Sequence, residues 1–479
     1  MTITQLAPKI RSGSISPVDL TRAVLGEIER LDPVLNAYIT VDAEGALQAA
    51  RAAQRRLAKG QYMGPLHGVP ISLKDLFDTR GLRTTAGSKI MADRVPAEDA
   101  ASVARLRAAG AIIVGKTNLH EFAFGSTTQN PHFGGTRNPY DTGRIPGGSS
   151  GGSTAAVAAD LCIASTGTDT GGSIRTPSAL CGTVGLKPTY GRVSLHGIVP
   201  LAWSLDHAGP ITKCVRDAAL LLSVMAGHDP RDPASANEKV PGFARALKDD
   251  VKKLRIGIDP SFCFAGVEEG VEASFKKALK LLEGLGARVV ELHLPTLELT
   301  SIVESILITA EAAAFHEADL RSRAADYGRD VRALLEGGSI FSAVHYIKAQ
   351  RLRRMIQQDF ANAFRKIDLF ALPAAPVPAP PVGTETVSIK GMEVDLPMAL
   401  LRFACPANLT GLPAVSVPCG LSEEGLPMGL QLVGRAFDEA TVLRAAYTFE
   451  ANAGALPRPG VTRGSGGGGL EGERARAKG

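Results

Sequence analysis

The chain predicts an α/β fold: a large mixed, largely parallel β-sheet covered by helices on both faces. Three observations lead there. Helix-like and strand-like segments alternate along most of the length. The strand-like segments are short continuous apolar runs, the pattern of strands buried on both faces. And the 479 residues, 44% hydrophobic and 21% charged, fall in the globular range with length enough for a deep core and a buried site.

The elements follow in order. Ser16, Pro17 and Asp19 supply an N-cap, a first-turn proline and an acidic third position. They open the helical pattern Leu20, Val24, Leu25, Ile28, Leu31, which ends near Asp32 and Pro33. Further helices are expected over 43–59, before Gly60, and 99–109, before Gly110, with buried strands at 68–73 and 111–114. The alternation continues through 161–165, 215–226, 255–258, 271–285 and 287–292. A long helical stretch covers 300–315 and 341–364, and a strand is expected at 369–372. The segment 373–381 holds five prolines in nine residues and reads as a stiff polyproline surface loop. A strand at 412–417 and a closing helix at 439–449 complete one catalytic unit over 1–462. The glycine-rich stretch 463–479 reads as a disordered or linker tail.

Charge and cysteine usage exclude several function classes. With 53 Lys+Arg against 48 Asp+Glu, the net charge of +5 leaves no strong footprint for direct nucleic-acid binding. Six cysteines never form a C-x-x-C pair, so neither a zinc site nor a disulfide framework is indicated. They fit buried thiols in a reducing compartment. His67, His120, His132 and His196 stand apart from one another, and no metal or other cofactor is expected. The start carries no apolar signal region and no apolar run reaches ~18 residues, so a soluble cytoplasmic protein without a membrane partner is expected.

The densest chemical signal is IPGGSSGGS at 145–153 followed by GTDTGGSIRTP at 167–177. Glycine and serine bury little apolar area. Such runs make tight turns whose N–H groups and hydroxyls suit a phosphate or the oxyanion of a tetrahedral intermediate. Plain connecting turns are the simplest reading. A phosphate loop lacks its lysine here. Gly147, Ser149 and Gly151 match the G-x-S-x-G nucleophile elbow, but an elbow follows a strand, and Arg144-Ile145-Pro146 makes a poor one. Neither His316 nor His345 lies in a turn after a strand to complete such a triad. The remaining reading uses Lys74 in GVPISLKDLF, where alternation puts Ser72 and Lys74 on one face and Ile71 and Leu73 on the other. Facing solvent, Lys74 is an ordinary lysine. Facing the glycine-serine centre, it loses charge by burial and becomes a base able to activate a serine without histidine.

PLHGVPISLKD around Lys74, GKTNLHEFAFGSTTQNPHFG around Gly125, GGSSGGS, GTDTGGSIRTPSALCGTVGLKPT and NLTGLPAVSVPCG together resemble the amidase signature hydrolases across 20–453. The resemblance implies a Ser-cis-Ser-Lys triad. Ser173 would be the nucleophile, Lys74 the base, and Ser149, in a cis peptide after Gly148, the proton relay. Backbone N–H groups of Thr170, Gly171, Gly172 and Ser173 would form the oxyanion hole. Asp169 and Arg175 would support the centre, an ordinary surface ion pair being the alternative. Within the family the chain is similar to the branch containing the A subunit of glutamyl-tRNA amidotransferase. That branch implies an arginine near Leu334 and an aspartate near Leu401 to grip an amino acid's carboxylate and amine. Leucines stand at both, with Arg332 or Arg402 available through a register shift. With Phe124, Gly125, Ser126, Leu401 and Phe403 around it, the pocket reads as apolar. An apolar pocket favours an aryl or alkyl amide, a carbamate (urethane) or an ester over glutamine. The expectation is therefore a small-molecule linear amidase acting alone, as monomer or homodimer. The alternative is the glutaminase subunit of an aminoacyl-tRNA amidotransferase.

Overall fold

The computed structural model describes residues 1–462; the expected tail over 463–479 lies outside the described residues. Eleven strands join in one sheet. They are β1 (Tyr38–Val41), β2 (Pro70–Lys74), β3 (Ile112–Thr117), β4 (Ala164–Thr168), β5 (Val184–Lys187), β6 (Ala208–Thr212), β7 (Arg255–Ile258), β8 (Arg288–Glu291), β9 (Leu369–Pro373), β10 (Ala414–Leu421) and β11 (Pro427–Val433). Across the sheet they run β1-β3-β2-β4-β6-β5-β10-β11-β9-β7-β8. The sheet is mixed, as the alternation required. β2 pairs in parallel with β3 and β4, and β7 with β8 and β9. The central pairings, from β4–β6 to β9–β11, are antiparallel, so the parallel share is smaller than the alternation suggested. The cause is chain order: β10 and β11 follow one another without a helix and pair as a hairpin, which needs no crossover.

Local chemistry sets most boundaries. Ser16 caps the first long helix, its Oγ accepting the N–H of Val18 at 3.1 Å and of Asp19 at 3.3 Å. That helix, Pro17–Leu35, runs past Pro33 and stops at Asn36 in the left-handed region at φ 50°, because tertiary packing of Leu31 and Leu35 outweighs the proline. Between the helices Thr300–Arg323 and Ala343–Ala363 stands a further one, Arg329–Ile340, which the sequence does not announce. Its two glycines blur the helical pattern. Gly338 is there for contact, since a Cβ on it would meet Thr309 O at 2.1 Å, and its absence lets the two helices close on each other.

The proline-rich segment 373–381 corrects the expectation of a surface loop. Ala374, Ala375, Val377 and Ala379 are buried with Ile145, Leu180 and Leu400 in a second small core beside the main one. Proline has no N–H to leave unsatisfied, and the carbonyls find donors. Pro376 O accepts Glu268 N–H at 2.9 Å, Pro380 O accepts Ile145 N–H at 3.0 Å and Ala379 O accepts Arg144 Nη1 at 2.9 Å. The cysteines are free thiols, four buried and Cys214 and Cys419 half-buried. Among the described residues no helix is long and apolar enough to cross a membrane.

Candidate active site

The parallel pairing of β2 with β3 and β4 puts Lys74, Thr117 and Thr168 at neighbouring C-terminal strand ends, the edge where open α/β sheets place their chemistry. All five residues of β2 are buried, so the solvent-facing alternative for Lys74 is overturned. Its Nζ stands 2.7 Å from Ser149 Oγ and 2.8 Å from Thr168 Oγ1. Burial lowers the ammonium to about 7, against a smaller opposing pull from Asp169 and Asp206. The amine is thus substantially neutral near pH 7, with a lone pair able to accept the Ser149 proton while an N–H donates to Thr168.

Ser149 follows a cis peptide from Gly148 and leads through Ser150 into the helix Gly151–Ala158. That helix is clamped to the sheet by Ser153, whose Oγ lies 2.7 Å from Thr117 Oγ1 and donates to Thr166 O at 2.9 Å. Gly148 is required by contact, because a Cβ there would meet Ser126 C and Thr127 N at 2.8 Å. Thr128 holds the turn from both sides, donating to Gly147 O at 2.8 Å and accepting Gly151 N–H at 3.1 Å. Neither Thr128 nor Thr168 stands out in the sequence. Both lie inside the quoted motifs but have no pattern of their own there; strand register brings Thr168 to Lys74, and the loop before Gln129 brings Thr128 to the turn over 147–151.

Ser173 lies on the turn after β4, 9% exposed, its carbonyl accepting Ser150 N–H at 3.2 Å. Its hydroxyl has no hydrogen-bond partner among the described residues. In this turn the N–H groups of Thr170, Gly171 and Ser173 meet no acceptor among the described residues, whereas Gly172 N–H is donated to Asp169 Oδ1 at 2.9 Å. Gly172 therefore differs from the other three expected oxyanion donors: it shapes the turn.

Asp169 organises that turn. It accepts Ile174 N–H at 3.1 Å and meets Arg175 in a two-pronged pair, Nη2 to Oδ1 at 2.8 Å and Nε to Oδ2 at 3.0 Å. Asn408 Nδ2 adds a bond at 2.9 Å. Burial would raise this carboxyl, but Arg175, Lys187 and Asn408 hold it well below the usual range. Both partners are fully buried, so the surface-pair alternative is overturned. Arg175 also reaches Ala404 O at 3.0 Å, Asn408 Oδ1 at 2.5 Å and Gln431 Oε1, tying the turn to the segment after Leu401. Asp206 completes the back of the turn, accepting Thr170 Oγ1 at 2.6 Å, and burial pushes it up to about 6.

The expected substrate residues divide. Phe124 is buried, Gly125 packs against the His120 imidazole, and Ser126 lies against Gly148 with its hydroxyl buried and unpartnered. Leu401 packs on Gly171. Phe403 is not brought to this surface: it is sealed in the core, edge-on to Phe262 at 5.5 Å. Leu334 is 40% exposed. Neither arginine is a free substitute, since Arg332 pairs with Glu336 and Arg402 forms two 3.0 Å bonds to Glu298.

A buried serine in hydrogen-bond contact with a buried lysine lowered to about 7, with a second serine on the glycine turn after β4, is an arrangement that can activate a serine without histidine. The chain belongs to the amidase family, whose model, described as "Amidase", matches residues 19–443. It is 44% identical to the A subunit of the glutamyl-tRNA(Gln) amidotransferase of Geobacter metallireducens, covering 94% of this chain and 96% of that protein. Among solved structures it is similar to a chain of "an unexpected vestigial protein complex" that reveals the origins of an s-triazine catabolic enzyme. That match has a TM-score of 0.91, 35% identity and coverage of 96% and 100% of the two chains. It is also similar to the A subunit of the Thermotoga maritima glutamyl-tRNA(Gln) amidotransferase, with a TM-score of 0.81, 36% identity and coverage of 96% and 98%.

These relatives correct two expectations. A stand-alone hydrolase of small aryl or alkyl amides, carbamates or esters is contradicted by full-length relatives named as amidotransferase subunits. So is a monomer or homodimer without larger partners, given those names and the complex among the similar structures. Leucines at 334 and 401 and an apolar lining do not by themselves exclude an amino-acid amide. The net charge of +5 bounds only what this chain contacts directly, not what a partner protein carries.

Proposed function

We propose that the chain is the amide-hydrolysing component of a glutamine-dependent amidotransferase, releasing ammonia from an amide through a Ser173 acyl-enzyme. The observation that carries the chemistry is the 2.7 Å contact of Lys74 Nζ with Ser149 Oγ in a fully buried setting. Neutral Lys74 accepts the Ser149 proton as Ser149 takes that of Ser173, and Ser173 Oγ adds to the amide carbonyl. The N–H groups of Thr170, Gly171 and Ser173 are placed to receive the oxyanion. Collapse breaks the C–N bond, with Ser149 returning a proton to the departing nitrogen. Water then adds to the acyl carbon by the same relay in reverse and frees Ser173. Glutamine as the amide, and work alongside partner proteins, are supported by the names of the relatives.

Ammonia release from glutamine by the purified chain, with Ser173→Ala as control, tests this reading. Turnover lost in Ser173→Ala supports it. Turnover of anilides with none of glutamine, both for the chain alone and in the presence of its partner proteins, overturns it.

A further inference from the structure

One buried group at this centre has no role in the chemistry above. Glu304 lies on the inward face of the helix Thr300–Arg323, in line with Thr300, Val303, Leu307, Ile308 and Glu311. Glu311 on the same face is fully engaged, with Oε1 accepting Ser204 Oγ at 2.6 Å and Tyr346 OH at 2.9 Å and Oε2 accepting Ser204 N–H at 3.0 Å. Glu304 is the opposite case: it is fully buried, and among the described residues no N–H or O–H donor reaches either carboxyl oxygen. The Cys405 thiol beside it is a weak donor, and it draws the carboxyl down less than burial raises it. The guanidinium of Arg175 is spent on Asp169, Asn408, Gln431 and Ala404 O, and that of Arg353 on Ser204 and Leu409 O. With no strong donor of its own, the carboxyl is raised by burial to about 8.

Its position is specific. A Cβ built on Gly171, two residues before Ser173, would stand 3.2 Å from Glu304 Oε1 and 2.8 Å from Leu401 Cδ2. The carboxyl thus abuts the turn that is placed to receive the oxyanion, next to the half-buried Leu401. A buried acid without a strong internal donor is costly unless something supplies one.

We infer that Glu304 is a specificity-determining residue that receives a substrate ammonium carried on the acyl portion of the amide. This rests on the proposed reading of Ser173 as an amide-cleaving nucleophile, and the α-ammonium of glutamine is one such group. Gly171, lacking a Cβ, lets the carboxyl lie close against the turn; a bound ammonium displaces to solvent the proton that burial holds on the carboxyl, and Leu401 contributes apolar cover that strengthens the resulting charge pair by excluding water.

The test uses the full chain and its Glu304→Gln variant, which keeps side-chain size, with two matched pairs of amides. Glutamine is set against glutaramate, and 5-aminopentanamide against pentanamide; each pair differs by one amino group. Ammonia release gives KM and kcat separately, and calorimetric titration of Ser173→Ala with the same four compounds reads binding without turnover. The expected result is a wild-type preference for the amino member of a pair that falls roughly 30-fold or more in Glu304→Gln, carried by KM, the cost scale of unpairing a buried charge contact. A merely structural Glu304 would lower both members alike, and that outcome overturns the inference. It is equally overturned if no amino preference exists in turnover or in calorimetry, even with glutamine hydrolysed. If glutamine is idle while 5-aminopentanamide shows the Glu304-dependent preference, the inference stands and the glutamine reading falls.

Discussion

Replacing Lys74 by methionine removes the base and, with it, a buried amine whose protonation the fold opposes. The ordinary lysine value of 10.5 is lowered to about 7 in the folded chain. Between those values the unfolded chain binds the proton and the folded chain does not, so wild-type stability rises with pH across that window. At pH 7 the mismatch costs the fold about 4 kcal/mol, and at pH 9 about 2 kcal/mol. Lys74→Met has no such group. Wild type therefore gains about 2 kcal/mol relative to the variant between pH 7 and pH 9, whatever the lost bonds to Ser149 and Thr168 contribute, because those bonds enter equally at both pH values. Urea unfolding of both proteins at the two pH values measures this difference of differences. The same lysine sets the rate: hydrolysis by wild type rises with pH through about 7 and levels off, because only the neutral amine accepts a proton. Lys74→Met folds and loses at least ~10²-fold in rate. Equal responses of the two proteins to pH would mean an ordinary Lys74 pKa, and the neutral-lysine mechanism would be refuted.

Two further predictions concern the serines and the buried pair. A sulfonyl fluoride modifies Ser173, so peptide mass spectrometry finds the adduct there and Ser173→Ala abolishes it; an adduct on Ser149 would reverse the two roles. Arg175→Met leaves the Asp169 carboxylate buried with its main counter-charge gone, a change that costs about 3–5 kcal/mol. Thermal unfolding registers it as a clear fall in Tm, and an unchanged Tm would mean that Asn408 and Lys187 suffice to hold Asp169.

Much of this protein is settled by residue order alone. Ser16, Pro17 and Asp19 start a helix wherever they occur, since a cap and a first-turn proline act within one turn. The strand of Arg255–Ile258 was legible to the residue because a short apolar run between polar flanks has one comfortable place, inside a sheet. Glycines and serines without apolar periodicity mark the candidate centre, and the motifs around Lys74, Ser149 and Ser173 carry the family resemblance that the family match bears out. What no reading of order supplies is proximity. That Thr168 holds the Lys74 amine, that Thr128 clasps the turn before Ser149, and that Asp169 with Arg175 is a buried hub depend on the parallel register of β2 with β4 and on the return of Asn408 and Gln431 from far along the chain. Burial is decided at the same level. Five prolines in nine residues look like surface until alanines between them find a second core, and Glu304 looks like any helical glutamate until packing leaves it no strong donor among the described residues. A side chain's sequence gives its chemistry; its pKa, partners and access to solvent are properties of what the fold brings against it.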